Sequence, residues 1–162
     1  MPPVDRLARA FAEVHRALDG LDWWLSDGAA LGAVRDGRIV GGDIDVGVWE
    51  PDLDKVAAAL PVPSVRHRCE VKATFDGQKV DVHGHLRTGE LVWYPLGKSE
   101  SVVYEFPARL FAEFERYEVY GLPVWVPCPV ESYLAAHYGA DWRTPRPGWS
   151  WQTSPPCARW NR

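Results

Sequence analysis

Apolar residues recur at three- and four-residue intervals at the start of the chain: Val4, Leu7, Ala8, Phe11, Val14 and Leu18, with Gly20 just beyond. That spacing predicts an amphipathic helix over about residues 4–19, placed to cover one face of a sheet. The pattern then shortens. Trp23, Trp24 and Leu25 read as a buried strand, and Ser26-Asp27-Gly28 as a turn in which Ser26 or Asp27 caps a helix running through Ala29, Ala30, Leu31 and Val34. Asp36-Gly37 signals a turn, Gly41-Gly42 a flexible or tightly approaching backbone, and Ile44 to Trp49 the acidic strand, whose side chains alternate between two faces. Pro51 to Leu60 fits a helix with proline in its first turn, ended by Pro61-Val62-Pro63.

Val65 to Phe75 and Lys79 to Leu86 read as two strands joined at Asp76-Gly77, a type I′ hairpin signal. Leu91 to Tyr94 and Ser101 to Tyr104 are further short strands, and Phe114 to Val126 a hairpin turning at Gly121. Pro129 to Tyr138 predicts a helix capped at Gly139. After Asp141 the period disappears, and Trp142, Trp149, Trp151 and Trp160 lie among prolines. Strands interspersed with a few helices predict an α+β domain over residues 1–145, a mixed twisted sheet with helices packed mainly on one face. A tail over residues 146–162 is expected to pack on it.

Composition narrows the function classes. Of 162 residues, 46% are hydrophobic and 25% charged, which is ample for one folded core. The net charge of −4 excludes a general attraction to nucleic acid or anionic lipid, so cations must act locally. No apolar run nears the ~18 residues of a membrane span. Asp5, Arg6, Arg9 and Glu13 interrupt any signal-peptide pattern, so a cytoplasmic location is expected. Cys69, Cys128 and Cys157 are odd in number and far apart, which suits buried thiols better than a disulfide framework.

Candidate chemistry gathers on two strands. Asp43 and Asp45 share one strand face; two like charges about 4 Å apart at an effective dielectric near 20 repel by roughly 4 kcal/mol, which a divalent cation turns into attraction. In the later strand Asp81, His83 and His85 alternate with Val80 and Val82 and line a face together. Three carboxylates on neighbouring strands suit a site for two magnesium ions, or manganese, in phosphoryl transfer: Asp43 and Asp45 bridge the metals, and Asp81 holds the metal that carries the attacking hydroxyl and takes its proton. Gly28 lets backbone approach a ligand, and the amides at the helix start beside Ser26 and Asp27 form a phosphate cradle. Arg35 and Arg38 precede the acidic strand and are placed to neutralise phosphate oxygens, and His83 to touch phosphate or position Asp81. No structural-zinc spacing joins His83 and His85 to His67 and Cys69.

The order strand, Ser-Asp-Gly turn, helix, Asp-x-Asp strand and a later lone Asp between valines resembles the polymerase-beta-like nucleotidyltransferase fold. More closely, Ser26 to Arg35, Asp43-Ile44-Asp45 and Asp81 resemble the LicD/fukutin phosphotransferase family. Val126-Pro127, Glu131, Tyr133-Leu134 and Tyr138 to Trp142 resemble that family's closing signature. Family members carry a Pro-Trp and a longer acidic run where this chain has only Val40-Gly41-Gly42. The resemblance implies a magnesium-dependent transferase moving a phospho-alcohol, of the phosphocholine or ribitol phosphate kind, from a CDP-linked donor to a glycan or small-molecule hydroxyl. Two alternatives stand beside it: a small nucleotidyltransferase placing NMP from an NTP on a small hydroxyl or phosphate, and a non-catalytic nucleotide-binding module.

Overall fold

A computed structural model of the chain describes residues 3–96, 100–150 and 155–160. It divides into two compact units, one of Met1–His85 with Arg116–Trp125, the other of Leu86–Glu115 with Val126–Arg162. The architecture is α+β.

In the first unit, α1 spans Pro3–Ala17, β1 Trp23–Leu25, α2 Asp27–Asp36 and β2 Asp43–Trp49. A single 3-10 turn, Glu50–Asp52, leads into α3, Leu53–Ala59. Then come β3 Ser64–His67, β4 Glu70–Phe75 and β5 Gln78–Thr88, of which the residues up to His85 belong here. The sheet is mixed: β1 lies antiparallel to β2, β2 runs parallel to β5, and β4 lies antiparallel to both β5 and β3. Alternation gives the sheet two chemically different faces. Ile44, Val46, Val48, Val71, Val80 and Val82 point one way and are fully buried, as are Phe11 and Val14 of α1, Leu18 just after it, and Leu53 and Val56 of α3. Asp43, Asp45, Asp81 and His83 point the other way.

One stretch departs from expectation. The run Val65 to Phe75 is two strands and not one, because the chain turns at Arg68 and Cys69 and folds β3 back on β4 with His67 opposite Glu70. The Asp76-Gly77 turn is as predicted: φ is 48° at Asp76 and 82° at Gly77, both in the left-handed region a type I′ turn requires. An added Cβ at Gly77 meets only the Arg6 Nη1 at 3.7 Å, so its cost there is conformational and not steric. Gly77→Ala is therefore expected to destabilise by about 1 kcal/mol, read as a lower urea midpoint at unchanged slope. An unshifted midpoint would contradict the turn assignment.

In the second unit, β6 (Leu91–Leu96) pairs antiparallel with Leu86–Thr88 at the end of β5 and with β7 (Val102–Pro107). Its core is aromatic: Tyr94, Tyr104, Phe106 and Tyr133 are buried, the last on α4, Val130–Tyr138. The hairpin of β8 (Phe114–Val119) and β9 (Leu122–Pro127) turns at Tyr120-Gly121, where φ is 51° and 76°; its residues Arg116–Trp125 belong to the first unit. The tail contains a strand that its sequence does not announce: β10, Ala158–Trp160, pairs antiparallel with β7, Trp160 opposite Val102. Three residues are too few to show a period. Trp142 is buried, and Trp149 is 37% exposed with its ring 5.0 Å from that of Tyr138. Trp151 lies outside the described residues. Cys69 and Cys157 are buried, Cys128 is half-buried, and none of the three is in a disulfide.

Candidate active site

The polar face of the first unit's sheet is set by strand register. In the parallel pair β2 and β5, Asp45 stands beside Asp81, Gly47 beside His83, and Trp49 beside His85. In the antiparallel pair β4 and β5, Lys72 stands opposite Asp81 and Glu70 opposite His83. The central cluster therefore draws on three adjacent strands. A fourth element enters at the end of β1, where the Ser26 amide donates to the Asp45 carbonyl at 3.1 Å and so brings the start of α2 against β2.

That junction places Asp27 within the cluster. Its φ of 47° lies in the left-handed region, which aspartate tolerates better than most residues but still at a cost. His83 Nε2 is 3.5 Å from Asp27 Oδ2 and 3.9 Å from Asp45 Oδ1, and His83 Nδ1 is 3.8 Å from Glu70 Oε1. Lys72 Nζ lies 3.6 Å from Glu70 Oε1 and 4.0 Å from Asp81 Oδ1. All these carboxylates are mostly buried, with side-chain exposure of 16–18% at Asp27, Asp45, Glu70 and Asp81.

Burial and crowding set the protonation of the group. Burial pushes the Asp45 carboxyl up to about 7; the Asp27 and Asp81 charges act in the same sense, while His83 opposes them. For His83, burial alone would lower the imidazole, but the polar contact with Asp45 and the charges of Asp27, Asp45 and Glu70 raise it to about 9. Burial also raises Asp81, against the pull of His83 and Lys72. The His83 imidazolium and the Lys72 ammonium thus supply positive charge among these acids.

Several expected site residues take other roles. Ser26 is fully buried at the N-cap position of α2, yet its hydroxyl makes no capping bond and donates to Asp27 Oδ2 at 3.2 Å. The first-turn amides of α2 thus receive no cap from Ser26. Gly28 faces the site: a Cβ there would lie 3.8 Å from Asp45 Oδ2. Arg35 is bound to Asp36, Nη2 to Oδ2 at 3.0 Å, and Arg38 is exposed. Among the described contacts neither arginine reaches the carboxylates. His85 does not join His83 at the acids: it is 1% exposed, its ring 4.9 Å edge-on from Trp24, and burial lowers it to about 3. Glu70 and Lys72 are not among the expected site residues, because the expectation takes Val65 to Phe75 as one strand where β3 and β4 are two. Their signal was present in the alternation Glu70, Lys72, Thr74 against Val71, Ala73, Phe75.

The donor set fits a divalent cation. Asp27, Asp45 and His83 each offer a ligand atom, all within 4.8 Å of one another. Asp43 and Asp81 add oxygens on the same face, close enough that the charge on Asp43 raises the Asp81 carboxyl. Acids so crowded and buried are stabilised by a cation between them.

The architecture defines the class. The chain has a nucleotidyltransferase fold: it superposes on the crystal structure of a Thermotoga maritima protein assigned as a nucleotidyltransferase, with a TM-score of 0.52 and 17% sequence identity over 83% of this chain and 84% of that one. Among curated proteins it is similar to ribitol-5-phosphate transferase FKTN of Mus musculus, 28% identical over 152 residues, and to the Homo sapiens protein of the same name, 29% identical. Each match takes in 85% of this chain but only 32% of the relative. No family model matches the chain. Among the described residues no helix is long and apolar enough to cross a membrane.

Proposed function

We propose that this chain is a metal-dependent phosphotransferase of the LicD/fukutin kind, moving a phospho-alcohol from a CDP-linked donor to a hydroxyl acceptor. The observation that carries the reading is the convergence of Asp27, Asp43, Asp45, Asp81 and His83 on one sheet face beside the start of α2. The similarity to ribitol-5-phosphate transferase FKTN supports the choice of transferred group. A bound divalent cation would neutralise the transferring phosphoryl oxygens and acidify the attacking hydroxyl.

The residues divide the remaining work. Asp43 and Asp45 would hold the cation at the donor side of the site. Asp81, with its carboxyl raised by burial, is a better base than an exposed aspartate and accepts the proton of the acceptor hydroxyl. Lys72 beside it keeps that carboxylate oriented. The α2 amides at Gly28 and beyond donate to donor phosphate oxygens. Arg38 adds charge there, whereas Arg35 must exchange Asp36 for phosphate to do so. The acceptor hydroxyl belongs to a small molecule or a glycan.

Incubating the protein with Mg2+ or Mn2+ and a panel of CDP-alcohols and NTPs tests the reading. Release of CMP from a CDP-alcohol is the expected result. Pyrophosphate from an NTP would replace it with nucleotidyl transfer on the same fold. Neither product with any donor, together with no metal binding, would leave a non-catalytic nucleotide-binding module.

A further inference from the structure

We infer that Asp27, Asp45 and His83 form a transition-metal pocket with Glu70 behind the imidazole, so that the site prefers a first-row transition ion such as Mn2+ to Mg2+. The inference rests on the metal-dependent reading above and adds to it which residues hold an ion and which ion they select.

The geometry supports a shared ion. Ligand atoms about 2.1 Å from one metal stand about 3 to 4 Å apart. His83 Nε2 lies 3.5 Å from Asp27 Oδ2 and 3.9 Å from Asp45 Oδ1, so small rotations bring all three onto one centre. The second ring nitrogen gives independent support. A metal-bound imidazole characteristically presents its other N–H to a carboxylate, which fixes the tautomer and the ring plane. Here Nδ1 faces Glu70 Oε1 at 3.8 Å, and strand register puts Glu70 directly opposite His83. The His83 side chain is 7% exposed, so the ring is held between carboxylates and not by solvent.

Local structure points the same way. Asp27 stands at the pocket with its backbone in the left-handed region, a strain that persists where surrounding structure compensates it. Donor chemistry then sets the preference. Mg2+ takes hard oxygens in near-ideal octahedra, whereas a buried nitrogen donor favours the transition ions. Asp43 and Asp81 keep their all-oxygen character and remain suited to a second ion.

Electron spin-echo modulation of bound Mn2+ tests this on the unaltered chain. Nitrogen coupling that changes isotope when histidine is supplied as 15N-histidine is the expected result. It should vanish in His83→Gln, with Mn2+ affinity down at least about tenfold and Mg2+ affinity changed less. Glu70→Gln should keep the coupling and weaken Mn2+ by about tenfold or more, a readout that stands if His83→Gln does not fold. Mn2+ bound by oxygen alone, coupling that survives His83→Gln, or equal losses for both ions overturns the inference while leaving a metal site. No Mn2+ binding at all overturns the metal-dependent reading with it.

Discussion

Asp45→Asn is expected to cut turnover by at least about a hundredfold while the chain still folds. Asp45 sits at the centre of the constellation: beside Asp81 in register, 3.9 Å from the His83 ring, and joined to α2 through its carbonyl. The amide is nearly isosteric with the carboxylate, so the Ser26 bond to that carbonyl and the burial of Ile44 and Val46 are untouched. What disappears is a negative oxygen that acts on the cation and the transferring phosphoryl group. The effect on stability separates this from a folding defect. A carboxyl raised to about 7 when folded, against 3.8 as the ordinary value, stabilises the fold below the ordinary value and loses that contribution as pH rises through the folded one. Above that point the folded chain carries an ion-free penalty that asparagine lacks, partly offset by the lost attraction to His83. Metal-free melts at pH 8 should therefore place the variant level with or above wild type. Turnover is read as CMP release at saturating metal. Asp43→Asn and Asp81→Asn are expected to fall in the same range, and a near-normal rate for Asp81→Asn would remove its assignment as base.

The elements that could be read from sequence are those whose signals are local. The α1 period, the Ser26-Asp27-Gly28 turn, the β2 alternation and the Asp76-Gly77 turn all have causes within a few residues. The hairpin also fixes positions beyond its own turn. A two-residue type I′ loop puts Phe75 opposite Gln78, and counting outward places Lys72 opposite Asp81 and Glu70 opposite His83. The carboxylate behind the imidazole was therefore deducible once β4 was started at Glu70. Asp27 is a different case. Its place among the ligands goes with a positive φ and with the Ser26 to Asp45 backbone bond, neither of which any periodicity reports. His85 shows the limit of alternation. It shares a face with His83, but Trp24 of a different strand buries it. In the second unit, β10 is three residues long and acquires its conformation from β7, so nothing local marks it.

Gly47→Ala is expected to cost about 3 kcal/mol or more, because the position has no room for a methyl group. An added Cβ would lie 2.1 Å from Trp24 Nε1, 2.6 Å from Trp24 Cε2 and 2.8 Å from His85 Cε1. None of these can retreat easily. Trp24 is fully buried directly opposite Gly47 on β1, its ring 5.1 Å from Trp49 and 4.9 Å from His85. The clash must be relieved by separating β1 from β2 or β2 from β5. Gly47 pairs with His83 in the second of these, so the displacement also reaches the candidate ligands. Thermal melts should show a fall of the order of 10 °C, accompanied by weakened Mn2+ binding. A double-mutant cycle identifies the cause. In a Trp24→Phe background, which removes the pyrrole edge of the indole, the same substitution should cost at least about 1 kcal/mol less, as contacting residues couple on that scale. Equal costs in the two backgrounds would show that Trp24 is not what excludes a side chain from position 47.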